Sequence, residues 1–277
     1  MRGNLSLIIG GWDSTKLPAI SLSGHNGNME FTKRDAQAPT DFFAVEAAGL
    51  RWLGEAHGAR VVAVHDVGEH HITLRRLQAE APTIDEAQAF GRALAQTHVA
   101  GADSWGSPPP GAGETGYIGP LPQANRPEPT WGVFYARHRV RPFAQQAEAR
   151  GALDSAGRSL IERVCDRLEN GDFDDDTTPA RIHGDLWSGN VITTAGGWTM
   201  IDPSAHGGHA ITDLAMLALF GNAHLGATFS AYAEAAGLER NWRALIPLHQ
   251  LHPLLVHATL FGAGYGSSAV AAAGAYA

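Results

Sequence analysis

The chain has 277 residues, 44% hydrophobic and 17% charged, which is enough to bury a core in one large domain or two modest ones. With 28 acidic and 20 basic side chains the net charge is -8, which argues against a nucleic-acid ligand, because such proteins carry a basic face. Cys165 is the single cysteine, so an intramolecular disulfide and a thiolate metal cage are excluded, and no apolar run reaches membrane-spanning length.

The first residues lack the charged-then-apolar pattern of a signal peptide, so a cytoplasmic protein without a membrane partner is the default expectation. "LSLIIGG" predicts a strand ending in Gly10 and Gly11. "AISLS" and "MEFTK" predict two more, with Asn26-Gly27 as a turn between them. "TDFFAVEAAGLRWLGEA" predicts a helix with Thr40 as N-cap and Phe43, Ala47, Leu50 and Leu53 on its buried face. "ARVVAVHDV" and "HHITLRRL" follow as a second hairpin. Residues 1–77 are therefore expected to form a small sheet-rich unit with one helix.

From residue 78 the pattern becomes mostly helical. Thr83 and Glu86 form a capping box opening "TIDEAQAFGRALAQTHVAG". Residues 101–130, rich in Gly and Pro, are expected to form a long ordered loop or lid. A helix over 155–169 places Cys165 on an apolar stripe with Ile161, Val164 and Leu168, a packing role. The acidic run Asp172 to Asp176 lacks ligand spacing and reads as a solvated loop. "VITTAGGWTMID" is a hairpin, the chain is helical from Thr212, and the Ala/Gly/Ser tail after Gly266 is expected to fray.

Chemistry concentrates in "RIHGDLWSGNV", Arg181 to Val191. It offers Asp185 and Asn190 five residues apart, and the following hairpin ends in Asp202. Phosphoryl transfer from ATP uses such a set. One carboxylate accepts the proton of the incoming hydroxyl, while an amide oxygen and a second carboxylate hold magnesium. Of the 20 basic side chains only Lys16 and Lys33 are lysines. Lys33 ends the "MEFTK" strand and Glu46 lies on the next helix, the arrangement by which a kinase anchors phosphates. Gly10 and Gly11 would let the first hairpin approach them closely.

"HGDLWSGN", 183–190, resembles the signature of the fructosamine kinase, or ketosamine 3-kinase, family, relatives of the aminoglycoside phosphotransferases. "FFAVEAAGLRWL", "YIGPLPQAN" (117–125), "WGVFYARHRVRP" (131–142) and "HPLLVHATLFGAGY" (252–265) resemble other segments of that family, from about Gly10 to Tyr265. The segment "GHAIT", 208–212, departs from its charged pattern. The resemblance implies an α+β, protein-kinase-like bilobal fold, with an N-terminal nucleotide-binding lobe over 1–77 and a C-terminal catalytic and substrate lobe over 78–277. It implies ATP and Mg2+ as cofactors, Asp185 as catalytic base, and Gly10, Gly11, Lys33, Glu46, Asn190 and Asp202 at the nucleotide, with Asn190 and Asp202 on the metal. Asp213 would brace the loop, His183 would shape it, and Trp187 would pack it or wall the pocket. The implied reaction phosphorylates the 3-hydroxyl of a ribulosamine or fructosamine adduct, free or protein-bound, by a monomer. The phosphorylated adduct then decomposes and frees the amine. A kinase of the same fold acting on another small alcohol, and a catalytically silent nucleotide-binding relative, are the other readings.

Overall fold

The computed structural model describes residues 29–277; the expected strands at Gly10, Gly11 and the Asn26-Gly27 turn lie outside the described residues. The described chain opens with β1 (Glu30–Arg34), α1 (Phe42–Gly54), β2 (Arg60–Val61), β3 (Val64–Gly68) and β4 (His71–Arg75). β1, β4 and β3 make an antiparallel sheet in that order, with Lys33 opposite Ile72 and a register shift between Val64 and Asp66. Ile72 and Leu74 pack against Phe43, Ala47 and Leu50 of α1, so one helix covers one sheet face. The helix begins one residue later than expected, because Asp41 rather than Thr40 holds the N-cap position. A turn leads directly into it (Phe42 N–H to the Pro39 carbonyl, 3.0 Å), and no side chain caps the helix. The Asp41 carboxylate instead accepts a hydrogen bond from Tyr117 Oη at 2.6 Å.

The remainder runs α2 (Ile84–Val99), β5 (Thr115–Ile118), β6 (Leu121–Ala124), α3 (Trp131–Tyr135), α4 (Arg141–Ala149), α5 (Ser155–Glu169), β7 (Ala180–Ile182), β8 (Val191–Thr194), β9 (Gly197–Met200), β10 (His206–Gly208) and α6 (Ile211–Phe220). It closes with α7 (Leu225–Ala236), α8 (Ile246–His249), α9 (Leu251–Phe261) and α10 (Ala263–Ala273). The Thr83–Glu86 capping box is formed. α2 lies against α7 so closely that a Cβ on Gly91 would stand 2.3 Å from the Thr228 carbonyl oxygen. One π turn, Ala136–Val140, joins α3 to α4 without a break.

Three expectations need correction. Residues 101–130 are not a plain loop: β5 and β6 pair antiparallel about a tight Gly119-Pro120 turn. The start of "ARVVAVHDV" does not join the second hairpin with "HHITLRRL", because β2 pairs in parallel with β9, itself antiparallel to β8, and so ties the two halves of the chain together. The tail does not fray either. α10 buries Ala269 and Ala273 completely, and Gly266 lies directly over the Ala152 carbonyl, so small residues permit close packing rather than signalling disorder. Cys165 is buried in the main apolar cluster, and burial pushes its thiol up to about 12. Among the described residues no helix is long and apolar enough to cross a membrane.

Candidate active site

β1 and α1 bring Lys33 and Glu46 together. Both are buried, and Lys33 Nζ donates to Glu46 Oε1 at 2.7 Å and also to the Asp202 carboxylate. Burial works against the lysine charge, but Asp202 and Glu46 outweigh it and hold the ammonium above the ordinary lysine range.

The loop after β7 carries Asp185, 7% exposed. The Asn190 amide nitrogen donates to the Asp185 main-chain oxygen at 2.8 Å and to its Oδ2 at 3.0 Å. Burial raises the Asp185 pKa well above the carboxylate range, with Asn190 opposing it and the charges of Asp202 and Asp213 adding to it. Asp202 follows β9 in a left-handed conformation, φ 54°, which aspartate adopts more readily than most non-glycine residues.

Asp213, in the first turn of α6, accepts hydrogen bonds from the His183 and Gly184 N–H groups at 2.8 and 2.9 Å. His98 Nε2 lies 3.1 Å from the same carboxylate, and His98 Nδ1 lies 2.7 Å from Tyr232 Oη. Burial opposes the Asp213 charge, yet His98, His183 and the loop N–H hold its pKa below the usual range. The bracing is therefore complete despite the changed 208–212 segment. His183 accepts from the Asp185 N–H at Nδ1, so its Nε2–H donates to the Ile201 carbonyl at 2.8 Å and the ring is neutral, as its burial also favours. Gly184 has φ 79°, and a Cβ there would meet the Ser204 carbonyl at 2.2 Å. Trp187 is half-buried, its ring edge-on to Phe220 at 5.9 Å.

Lys33, Glu46, Asp185, Asn190 and Asp202 all line one cavity of about 360 Å³; Gly10 and Gly11 lie outside the described residues. The far wall comes from the β5–β6 hairpin, through Tyr117 and Pro120, and was not anticipated. Ser204 Oγ donates to the Tyr117 carbonyl at 2.6 Å and accepts from Gln123 Nε2 at 2.7 Å, which fixes the hairpin two residues beyond Asp202. The advance signal was the segment 117–125 itself, read as a family segment and not as a wall.

Among the described residues no group of three or more His, Cys, Asp or Glu side chains is placed to hold a metal ion alone. Asn190 turns its nitrogen to Asp185 and to the Asp202 main-chain oxygen, which leaves its Oδ1 as an acceptor on a residue that lines the same cavity as Asp202. Two oxygen donors suit a hard cation that arrives with polyphosphate oxygens and water.

The sequence profile of the fructosamine kinase family matches residues 17–274. A protein of Thermus thermophilus assigned as a ketoamine kinase is 31% identical over 256 residues, covering 90% of each chain. The chloroplastic protein-ribulosamine 3-kinase of Arabidopsis thaliana is 30% identical over 265 residues, 91% of this chain and 78% of that one. A crystal structure from Thermobifida fusca, assigned as a fructosamine-3-kinase, superposes with a TM-score of 0.82 at 43% identity over 92% of both chains. An aminoglycoside phosphotransferase bound to ADP and hygromycin B shares the fold, at a TM-score of 0.55, 17% identity and 92% of both chains.

Proposed function

Because the chain belongs to the fructosamine kinase family, we propose that it phosphorylates the 3-hydroxyl of ketosamines, ribulosamine or fructosamine adducts, with Asp185 as the base. It is an ATP-dependent kinase acting on ketosamine hydroxyls. ATP, carried with magnesium, supplies the phosphoryl group. Lys33, held by Glu46, anchors the phosphates, and Asn190 Oδ1 with the Asp202 carboxylate would hold the metal. Asp185 orients the acceptor hydroxyl and takes its proton. Its raised proton affinity suits that task, and the Asn190 N–H keeps the carboxylate in place.

The observation that carries this reading is the convergence of Lys33, Asp185, Asn190 and Asp202 on one cavity, the first from β1 and the others from the loops flanking the β8–β9 hairpin, far from β1 in sequence. We place the lobe boundary near residue 77, in the extended stretch between β4 and α2, giving a nucleotide lobe of 1–77 and a catalytic lobe of 78–277. Gly10 and Gly11 serve, on this reading, nucleotide binding. We assign the protein to the cytoplasm, where ATP is abundant, and expect it to act as a monomer, since one chain supplies every residue named here.

The test is magnesium-dependent phosphate transfer from ATP to ribulose-lysine, fructose-lysine and an aminoglycoside. Transfer to either ketosamine supports the proposal. Transfer to the aminoglycoside alone moves the protein to another acceptor class, and ATP binding without transfer to any acceptor makes it a silent relative.

A further inference from the structure

A second, small cavity of about 10 Å³ lies behind the loop that carries Asp185, with Arg139, His206, His252, Phe134 and Gly184 among its walls. That is room for one atom-sized guest. Arg139 is 1% exposed, and none of its recorded hydrogen bonds among the described residues goes to a carboxylate. Its Nη1 donates to the Ala124 and His138 carbonyls at 2.6 and 3.0 Å, its Nη2 donates to Asn125 Oδ1 at 2.7 Å, and the Phe134 ring lies 4.6 Å from Cζ. A guanidinium has five N–H donors. Among the described residues, the one on Nε, which is buried, has no acceptor, and the buried Nε2 of His252 has no partner either.

The charges around this cavity do not balance. Burial lowers the Arg139 pKa to about 9, so the group is still charged at neutral pH. Burial, with Arg139 nearby, lowers His206 to about 3 and His252 well below the imidazole range, so both rings are neutral. On the remaining wall His209 faces Asp175 Oδ2 at 3.3 Å, and the other oxygen of Asp175 accepts from the Thr177 N–H at 3.0 Å. A buried charge needs a counter-charge or full hydrogen bonding, and Arg139 has neither.

We propose that this cavity binds one small inorganic anion of halide size, held by the Arg139 Nε–H with the His252 Nε2–H turned toward it. The guest would support Gly184, and through it the base-bearing loop, from behind. A water molecule could fill the space, but it would leave the guanidinium charge unbalanced.

Bromide is the probe. Crystals grown without halide and soaked in sodium bromide should show an anomalous peak within hydrogen-bond distance of Arg139 Nε. Thermal unfolding in sodium bromide should exceed that in sodium gluconate at equal ionic strength. The folding equilibrium shifts by 1 + [halide]/Kd, about tenfold when halide stands at ten times Kd, a rise in Tm on the order of 3 °C for a chain of this size. Arg139→Met should abolish the halide-specific rise; if that variant does not fold, the wild-type bromide map decides alone. Bromide found only on the surface, or equal melting in the two salts, overturns the proposal and leaves a bridging water.

Discussion

Asp185 combines the position of the proposed base with an unfavourable environment, since it is a buried carboxyl with the carboxylates of Asp202 and Asp213 raising its pKa further. Asp185→Asn should lower kcat by roughly 10²–10⁴, the usual range for a lost general base. It should also raise Tm, because a neutral amide escapes the cost of burying charge. Paired turnover and melting measurements check both effects. The raised pKa also sets the sign of the pH response. A base works deprotonated, so kcat/KM should fall as pH drops through the Asp185 pKa, at a higher pH than an ordinary carboxylate would give. Asp213 has the opposite shift: its pKa is depressed in the fold, so its contribution to stability is present above the unfolded value and lost as pH falls through the folded one. Asp213→Ala strands the His183 and Gly184 N–H groups and His98, and should cost about 3–5 kcal/mol in denaturant unfolding. At this scale the Asp185, Asn190 and Asp202 spacing was legible because the loop and hairpin that carry it are local. Tyr117 was not, because it reaches the cavity through contacts distant in sequence, to Asp41 and to Ser204.

Elements differ in how much of their stability is local. The α2 capping box is written in four adjacent residues and could be read directly; Thr83→Ala should cost about 1 kcal/mol, measured by urea unfolding. The α2–α7 contact could not be read, since Gly91 looks like an ordinary weak point in a helix. In the fold it is where two backbones meet, and Gly91→Ala should destabilise by roughly 1–3 kcal/mol through overpacking, despite the better helix propensity of alanine. The β5–β6 hairpin was hidden because its second strand contains Pro122 and its turn is Gly-Pro, signals that read as loop. α10 was hidden because alanine, glycine and serine carry little apolar periodicity, so its burial depends on the partner helix.

The whole molecule is two unequal lobes around one cleft, with β2 on β9 and Tyr117 on Asp41 crossing between them. The bilobal class came with the family resemblance, and the change from short strands to long helices was legible in the pattern of the chain. The crossing contacts were not, because a two-residue parallel pairing leaves no periodic trace. The central claim is that this cleft moves a phosphoryl group from ATP to O3 of a ketosamine through Asp185. The most direct test is magnesium-dependent turnover of ribulose-lysine by wild type and Asp185→Asn, with the phosphorylated position of the product assigned by NMR. The account predicts a 3-phosphate from the wild type and loss of turnover in a folded variant. Phosphate at another hydroxyl, or a folded variant that turns over like wild type, would contradict it.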